Sequence, residues 1–273
     1  MFGKTITRFR RLSRAPVVLQ QMRTIWRGYA KWRFRAEWPS SNDSKSEAEL
    51  SNPLRAYFAS HKEGPGIWKW DHYFDIYHRH FSRFRGKTVR VLEIGIYSGG
   101  SLEMWRDYFG PRCQIFGIDI EPACKTYESD SIKVFIGDQG DRGFWKRFKQ
   151  EVSDIDIVID DGSHLPQHQI VTLEELLPCL QPGGVYLCED VHGTLNTFAS
   201  YVYGFAHNLN SNEGMQENLD NNERRLACAT TALQSAVRSI HLYPYVTVVE
   251  RNETTVSELI GPKHGTQWQP FLK

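Results

Sequence analysis

From Thr88 onward, short runs of β-branched and aromatic residues alternate with helix-length amphipathic segments. That pattern produces parallel strands joined by crossover helices, so the class is α/β. Strands are predicted over 89–96 (VRVLEIGI), 114–120 (QIFGIDI), 132–138 (IKVFIGD), 156–162 (DIVIDDG) and 184–190 (GVYLCED), each running into polar or acidic residues. In a parallel sheet those ends share one edge, which is where open α/β sheets bind ligands. Helices are predicted over 101–108, 144–152 and 167–180, the last closed by Pro182-Gly183-Gly184, a sequence that cannot continue a helix. A further helix is predicted over 224–237, and HLYPYVTVVER (241–251) reads as a closing strand pair. The Asn-rich stretch 207–222 between these two regions reads as a loop.

Composition places few limits on this picture. The 273 residues are 40% hydrophobic and 24% charged, the range of a packed globular domain. No apolar run approaches the roughly 18 residues of a membrane span. Five scattered cysteines form no CxxC pair, which argues against a disulfide framework or a zinc site and makes the cytoplasm the default compartment.

Charge adds more, because the net value of +1 hides an asymmetry: residues 1–36 hold ten of the 33 Lys and Arg and none of the 32 Asp and Glu. Val18, Met22, Ile25, Tyr29 and Trp32 recur at helical spacing, flanked by Arg23, Arg27 and Lys31. A basic amphipathic helix of this kind suits an anionic membrane face, a partner subunit or second copy, or a targeting sequence, and the sequence leaves these three open. Nucleic acid is disfavoured, since no basic stripe continues into the body. The polar stretch 39–52 reads as a linker, so residues 1–52 are expected to form an extension and 53–273 the main domain.

Candidate chemistry sits at the strand ends. VLEIGIYSGGSL turns from strand to helix through Gly95, Gly99 and Gly100, with Glu93 at the strand end. Glycines there let backbone approach a ligand at a helix N-terminus, but the spacing is not GxGxxG and there is no P-loop Lys, and an acid so close repels pyrophosphate. Asp119, ending the second strand, is placed to accept ribose hydroxyls or to cap the following turn. Asp138 and Gln139 in GDQGD are placed to read an adenine edge or to make a turn.

DDGSH then supplies Asp160, Asp161 and His164, and CEDVHG supplies Glu189, Asp190 and His192. Adjacent parallel strands lie about 4.8 Å apart, so four acids converge, and like charges at such range repel by roughly 4 kcal/mol near a protein surface. Neither motif contains Lys or Arg. A divalent cation, Mg²⁺ or Mn²⁺ for oxygen ligands, relieves the repulsion, with Asp161, Glu189 and Asp190 as ligands and Asp160 behind them or toward the cofactor. A lysine ammonium in the same space is the observation that excludes this arrangement. His164 lies within reach of a metal-bound hydroxyl as general base, with His192 as the rival.

The glycine turn and its acids resemble the class I S-adenosylmethionine-dependent methyltransferases over about residues 68–251. That resemblance implies a Rossmann-like methyltransferase fold with a mostly parallel seven-stranded sheet and helices on both faces. It also implies that Glu93 and the turn carrying Gly95, Tyr97 and Gly99 hold the methionine part of S-adenosyl-L-methionine. Asp119 would then hold the ribose, and Asp138 with Gln139 the adenosine side. DDGSH, EDVHG, GDQGD and the aromatic run IWKWDHYFDIYHRHF (67–81) together resemble the macrocin O-methyltransferase group. The implied activity is Mg²⁺-dependent methylation of a sugar hydroxyl on a glycosylated natural product, glycolipid or polysaccharide. The aromatic run reads either as a lid over the cleft or as core. A hydroxylase of the cephalosporin type and a non-catalytic scaffold are the competing readings.

Overall fold

The computed structural model describes residues 15–29, 52–193, 195–211, 225–262 and 264. The chain divides into two compact units, residues 1–46 and 47–273. In the first, helix α1 (Ala15–Tyr29) agrees with the expected amphipathic segment. Met22 and Ile25 of the expected stripe are exposed, as are Leu19 and Trp26; the side chains of Val18, Tyr29 and Trp32 lie outside the described residues.

The second unit runs α2 (Pro53–Ser60), α3 (Tyr73–Phe81), β1 (Val89–Ile94), α4 (Gly100–Phe109), β2 (Cys113–Asp119), β3 (Ile132–Ile136), α5 (Arg142–Glu151), β4 (Ile155–Asp160), α6 (Pro166–Leu176), β5 (Leu180–Val191), α7 (Thr197–Leu209), β6 (Arg225–Ala229), α8 (Ala232–Ala236), β7 (Val237–Tyr243), β8 (Tyr245–Arg251) and β9 (Glu258–Pro262). Seven strands form one sheet in the order β3-β2-β1-β4-β5-β8-β7, and β6 pairs separately with β9. The pairs among β1 to β5 are parallel, whereas β8 is antiparallel to β5 and to β7. Strand order reverses between β1 and β4, so the crevice at their carboxyl ends is the natural ligand position.

Residue alternation along each strand assigns the two faces. Val91, Ile157, Ile159 and Leu187 pack with Leu54, Tyr77 and Trp105 from α2, α3 and α4. Leu92, Val158, Tyr186 and Cys188 pack with Trp145, Leu173 and Phe198 from α5, α6 and α7. Asn52 fixes the entry to the first layer: its Oδ1 accepts from Leu54 N at 3.0 Å and its Nδ2 donates to Phe74 O at 2.9 Å, so one buried amide caps α2 and ties it to α3.

Three expectations are corrected. The helix expected to reach residue 180 ends at Leu176, because Pro178 converts the chain to a short 3-10 turn (Leu177–Cys179), and Leu180 opens β5. The helix expected over 224–237 is instead β6 followed by the five-residue α8. β6 finds its partner β9 some thirty residues on, a pairing that local periodicity does not show. The region expected to be a loop from 207 begins inside α7, and residues 212–224 lie outside those described.

α3 is held to the antiparallel edge by a buried polar network. His80 Nδ1 lies 2.9 Å from Glu250 Oε1, its Nε2 lies 3.0 Å from the Tyr243 hydroxyl, and Arg83 reaches Glu250 at 3.2 Å. The His80 hydrogen bond, with Arg83 and His241 nearby, draws the Glu250 carboxyl from 4.5 down to about 2, against the opposing effect of burial. A carboxyl whose folded pKa is depressed stabilises the fold fully above the unfolded value and loses that stability as pH falls through the folded one. The unfolding free energy of wild type should therefore approach that of Glu250→Gln as pH falls from 4.5 toward 2. Denaturant titration of both proteins measures it, and a pH-independent difference contradicts it.

Candidate active site

The carboxyl ends of β1, β2, β4 and β5 open into one cleft of about 1010 Å³, reached also by residues 66–71 ahead of α3. Gly95 takes φ +91°, Tyr97 +50° and Gly99 +80° in the turn from β1 to α4. A Cβ on Gly95 would lie 2.1 Å from the Asp161 carbonyl oxygen, and one on Gly100 2.3 Å from that of Pro65. The glycines therefore admit neighbouring backbone as well as a ligand.

Asp119 holds this turn. Its Oδ2 accepts from Ile96 N (2.8 Å) and Tyr97 N (3.1 Å), and its Oδ1 accepts from Glu121 N (2.9 Å). Of the roughly four lone-pair directions on a carboxylate, one remains for a ribose hydroxyl. Asp138 lines the cleft half-exposed, with Oδ1 accepting from Gly140 N at 2.7 Å. The side chain of Gln139 is spent elsewhere. Its Nε2 donates to Asp160 (2.9 Å) and Thr172 (3.1 Å), and its Oε1 accepts from Ser163 N (2.6 Å), so the amide braces the DDGSH loop rather than offering an edge to adenine. Ile120 and Leu165, unmarked in the sequence reading, bring exposed apolar surface to the same cleft.

Strand alternation separates the two adjacent aspartates. Asp160 continues the Val158 face, where it is buried and accepts from the Tyr186 hydroxyl at 2.8 Å. Burial raises its pKa despite these hydrogen bonds. It contacts neither the acid cluster nor the cofactor turn by hydrogen bond. Asp160 is paired with Cys188 across β4 and β5, which sets the next residues, Asp161 and Glu189, side by side.

Between those two lies the ammonium of Lys69. Its Nζ is 2.5 Å from Asp161 Oδ2, 3.1 Å from both Glu189 oxygens and 3.7 Å from Glu93 Oε1, with the side chain 3% exposed. Burial alone would lower its pKa, but Asp161, Glu189 and Glu93 reverse the effect and hold it charged. Tyr77 donates to Glu189 Oε1 at 2.6 Å. Burial and the Asp161 charge still push the Glu189 carboxyl well up, and burial likewise raises Glu93. Glu93, expected to hold the methionine part of the cofactor, is instead fully buried behind the cleft lining: it accepts from Ser101 Oγ at 2.8 Å, while its Oε1 is without a hydrogen bond. The absence of Lys or Arg from both acidic motifs thus misled: the cation arrives from the aromatic run, about ninety residues earlier in the chain. A lysine among hydrophobic aromatics was the available signal. That run divides, with Tyr73, Tyr77 and Phe81 in the core and Trp68 and Trp70 exposed at the cleft.

Asp190 faces the other way from Glu189. Its Oδ1 accepts from Trp70 Nε1 (3.0 Å) and the Tyr73 hydroxyl (2.8 Å), leaving Oδ2 3.6 Å from His164 Nε2. Asp161, His164 and Asp190 each present one ligand atom, all within 4.8 Å of one another. Lys69 is the lysine ammonium that excludes the expected set of Asp161, Glu189 and Asp190, because with Tyr77 it holds Glu189 away from the cleft. A divalent cation still fits beside Lys69, because Asp161 and Asp190 each present a hard oxygen donor within 4.8 Å of the other. His164 and Asp190 have φ +56° and +53°, strain of the kind kept where geometry serves a site. His192 lines the same cleft and stacks edge-on to Tyr245 at 5.4 Å.

No family model matches the chain. Curated relatives are named O-methyltransferases. The chain is 43% identical over 145 residues to 8-demethyl-8-(2-methoxy-alpha-L-rhamnosyl)-tetracenomycin-C 3'-O-methyltransferase of Streptomyces olivaceus, covering 50% of this chain and 36% of the relative. It is 39% identical over 147 residues to demethylmacrocin O-methyltransferase of Streptomyces fradiae, covering 51% and 36%. The chain thus spans about a third of the length of these relatives. Among solved structures, the MycE methyltransferase of the mycinamycin pathway, in complex with Mg and S-adenosylhomocysteine, superposes with TM-score 0.58 at 27% identity over 74% of this chain and 54% of that one. These findings bear out the resemblance to the macrocin O-methyltransferase group and the Rossmann-like methyltransferase fold.

Gly95 supplies a direct check of the turn. Gly95→Ala should cost at least ~2 kcal/mol of stability, since left-handed strain (about 1–2 kcal/mol) is added to collision with fixed backbone. Gly86→Ala, at a positive φ of +68° with nothing within 4 Å, should cost only the strain. Denaturant unfolding of the two variants compares them, and equal losses would remove the packing argument.

Proposed function

We propose that this chain is the catalytic part of an S-adenosyl-L-methionine-dependent O-methyltransferase that methylates a sugar hydroxyl of a glycosylated acceptor, assisted by a divalent cation. The observation that carries the reading is the single cleft joining the glycine turn to the outward-facing Asp161, His164 and Asp190. The named activities of the relatives and the Mg and S-adenosylhomocysteine of MycE support it.

The backbone of the Gly95–Gly99 turn and the remaining acceptor direction of Asp119 receive the methionine and ribose parts of the cofactor. Ile120 and Leu165 give apolar walls for adenine, and Asp138 its polar edge. Transfer is an in-line displacement: a lone pair of the acceptor oxygen forms the bond to the methyl carbon as the carbon–sulfur bond breaks, its electrons passing to the sulfonium. The reaction merges charge, so the protein contributes mainly alignment of the two centres and removal of one proton. His164 Nε2 accepts that proton, and Asp190 Oδ2, 3.6 Å away, stabilises the imidazolium that forms. Asp161 and Asp190 would hold the cation, which when bound lowers the pKa of a hydroxyl next to it.

The test incubates purified protein with S-adenosyl-L-methionine, Mg²⁺ and glycosylated macrolide and tetracenomycin acceptors, following product by mass. A gain of one CH₂ is expected, with activity falling on chelation; a gain of one oxygen would instead establish the hydroxylase reading. His164→Ala should lower kcat by about 10²-fold or more while cofactor affinity, measured by calorimetry, stays within about twofold. Equal losses in both would reduce His164 to a scaffold residue.

A further inference from the structure

Lys69 lies in the connection between α2 and α3, a segment without regular structure whose start is fastened independently. His61 Nε2 lies 2.7 Å from the Pro65 carbonyl oxygen, and the Pro65 and Gly66 backbones close over Gly100. Its end grips three residues and no others in the cleft by side-chain hydrogen bond: Lys69 holds Asp161 and Glu189, and Trp70 holds Asp190. Those are the three acids that the sequence reading selected as cation ligands. Among the described residues, no other lysine or arginine contacts any of them.

The arrangement has an electrostatic consequence. A divalent ion held by Asp161 would share that carboxylate with an ammonium bonded to it at 2.5 Å, and the two cations would repel across a corner where charge is poorly screened. Glu189 could join the ion only by giving up the ammonium, whereas its Tyr77 hydrogen bond at 2.6 Å would persist. We infer that Lys69 is a tethered counter-ion that competes with the divalent cation for Asp161 and Glu189, and so sets how tightly this corner takes the ion. The inference rests on the metal-assisted reading above. Lys69 is then a positioning residue: it keeps the two carboxylates paired until the ion arrives and yields them when it does, loosening the segment that carries the exposed Trp68 and Trp70.

The experiment is Mn²⁺ titration of chelator-treated protein without acceptor, read by electron paramagnetic resonance or calorimetry. Lys69→Gln keeps hydrogen-bond donors but removes the charge and should bind Mn²⁺ at least ~10-fold more tightly than wild type; Lys69→Arg keeps the charge and should bind no more tightly than wild type. Affinity in Lys69→Gln equal to or weaker than that of wild type overturns the competition. Absence of Mn²⁺ binding in wild type and both variants would instead overturn the metal reading on which it rests. A measurement on wild type alone covers the case of a variant that does not fold. Reductive methylation of Lys69, followed by peptide mass spectrometry, should accelerate several-fold on adding Mn²⁺, and an unchanged rate counts against release of the ammonium.

Discussion

Crowding of carboxylates at one corner of the sheet is the constraint around which the remainder of the site is arranged. It arises from a pairing of backbone, Asp160 opposite Cys188 across β4 and β5, which leaves the next residue of each strand, Asp161 and Glu189, adjacent at the open edge. Glu93 comes from the neighbouring β1 on the same face. In a buried setting such acids either take up protons or acquire positive charge. Here burial raises the pKa of both Glu93 and Glu189 even with Lys69 between them. Positive charge brought to this corner would favour the ionised carboxylates, as the proposed cation and sulfonium cofactor would.

The aromatic layer exists in part to hold that corner. Tyr77 packs edge-on against Trp105 at 5.0 Å and stacks on Phe81 at 5.9 Å, so its hydroxyl is delivered to Glu189 by a rigid core rather than by a mobile loop. Tyr73, one turn earlier on α3, delivers its hydroxyl to Asp190. α3 is in turn fixed at its far end by His80 and Arg83 on Glu250 of β8. The same helix thus connects the antiparallel edge of the sheet to the acids of the cleft, and packing energy from one layer maintains polar geometry in the other.

Five parallel strands were legible from hydrophobic runs ending in acids, because β1, β2, β4 and β5 are largely buried on both faces and each pattern, edge strand β3 included, is local. The positions of Asp119, Asp161, His164 and Asp190 around one cleft were legible for the same reason. What was not legible depended on partners distant in sequence or on the direction of a side chain. Gln139 and Asp160 read as cofactor groups, yet they satisfy each other beneath the DDGSH loop. Residues 225–229 read as helix because their strand partner lies at 258–262. Lys69 was hidden within a run whose aromatic character dominated its reading, and only the fold brings its ammonium to acids that follow it by 92 and 120 residues.

On the proposed reading, a divalent cation and a nucleoside cofactor share this cleft, with Asp161 and Asp190 holding the ion. A crystal structure with S-adenosylhomocysteine and Mn²⁺, using anomalous scattering to locate the metal, tests this most directly. The expected result is one anomalous peak coordinated by Asp161 and Asp190, with the thioether sulfur against the Gly95–Gly99 turn. Cofactor bound there without an anomalous peak, and the Lys69 ammonium still seated between Asp161 and Glu189, would contradict it.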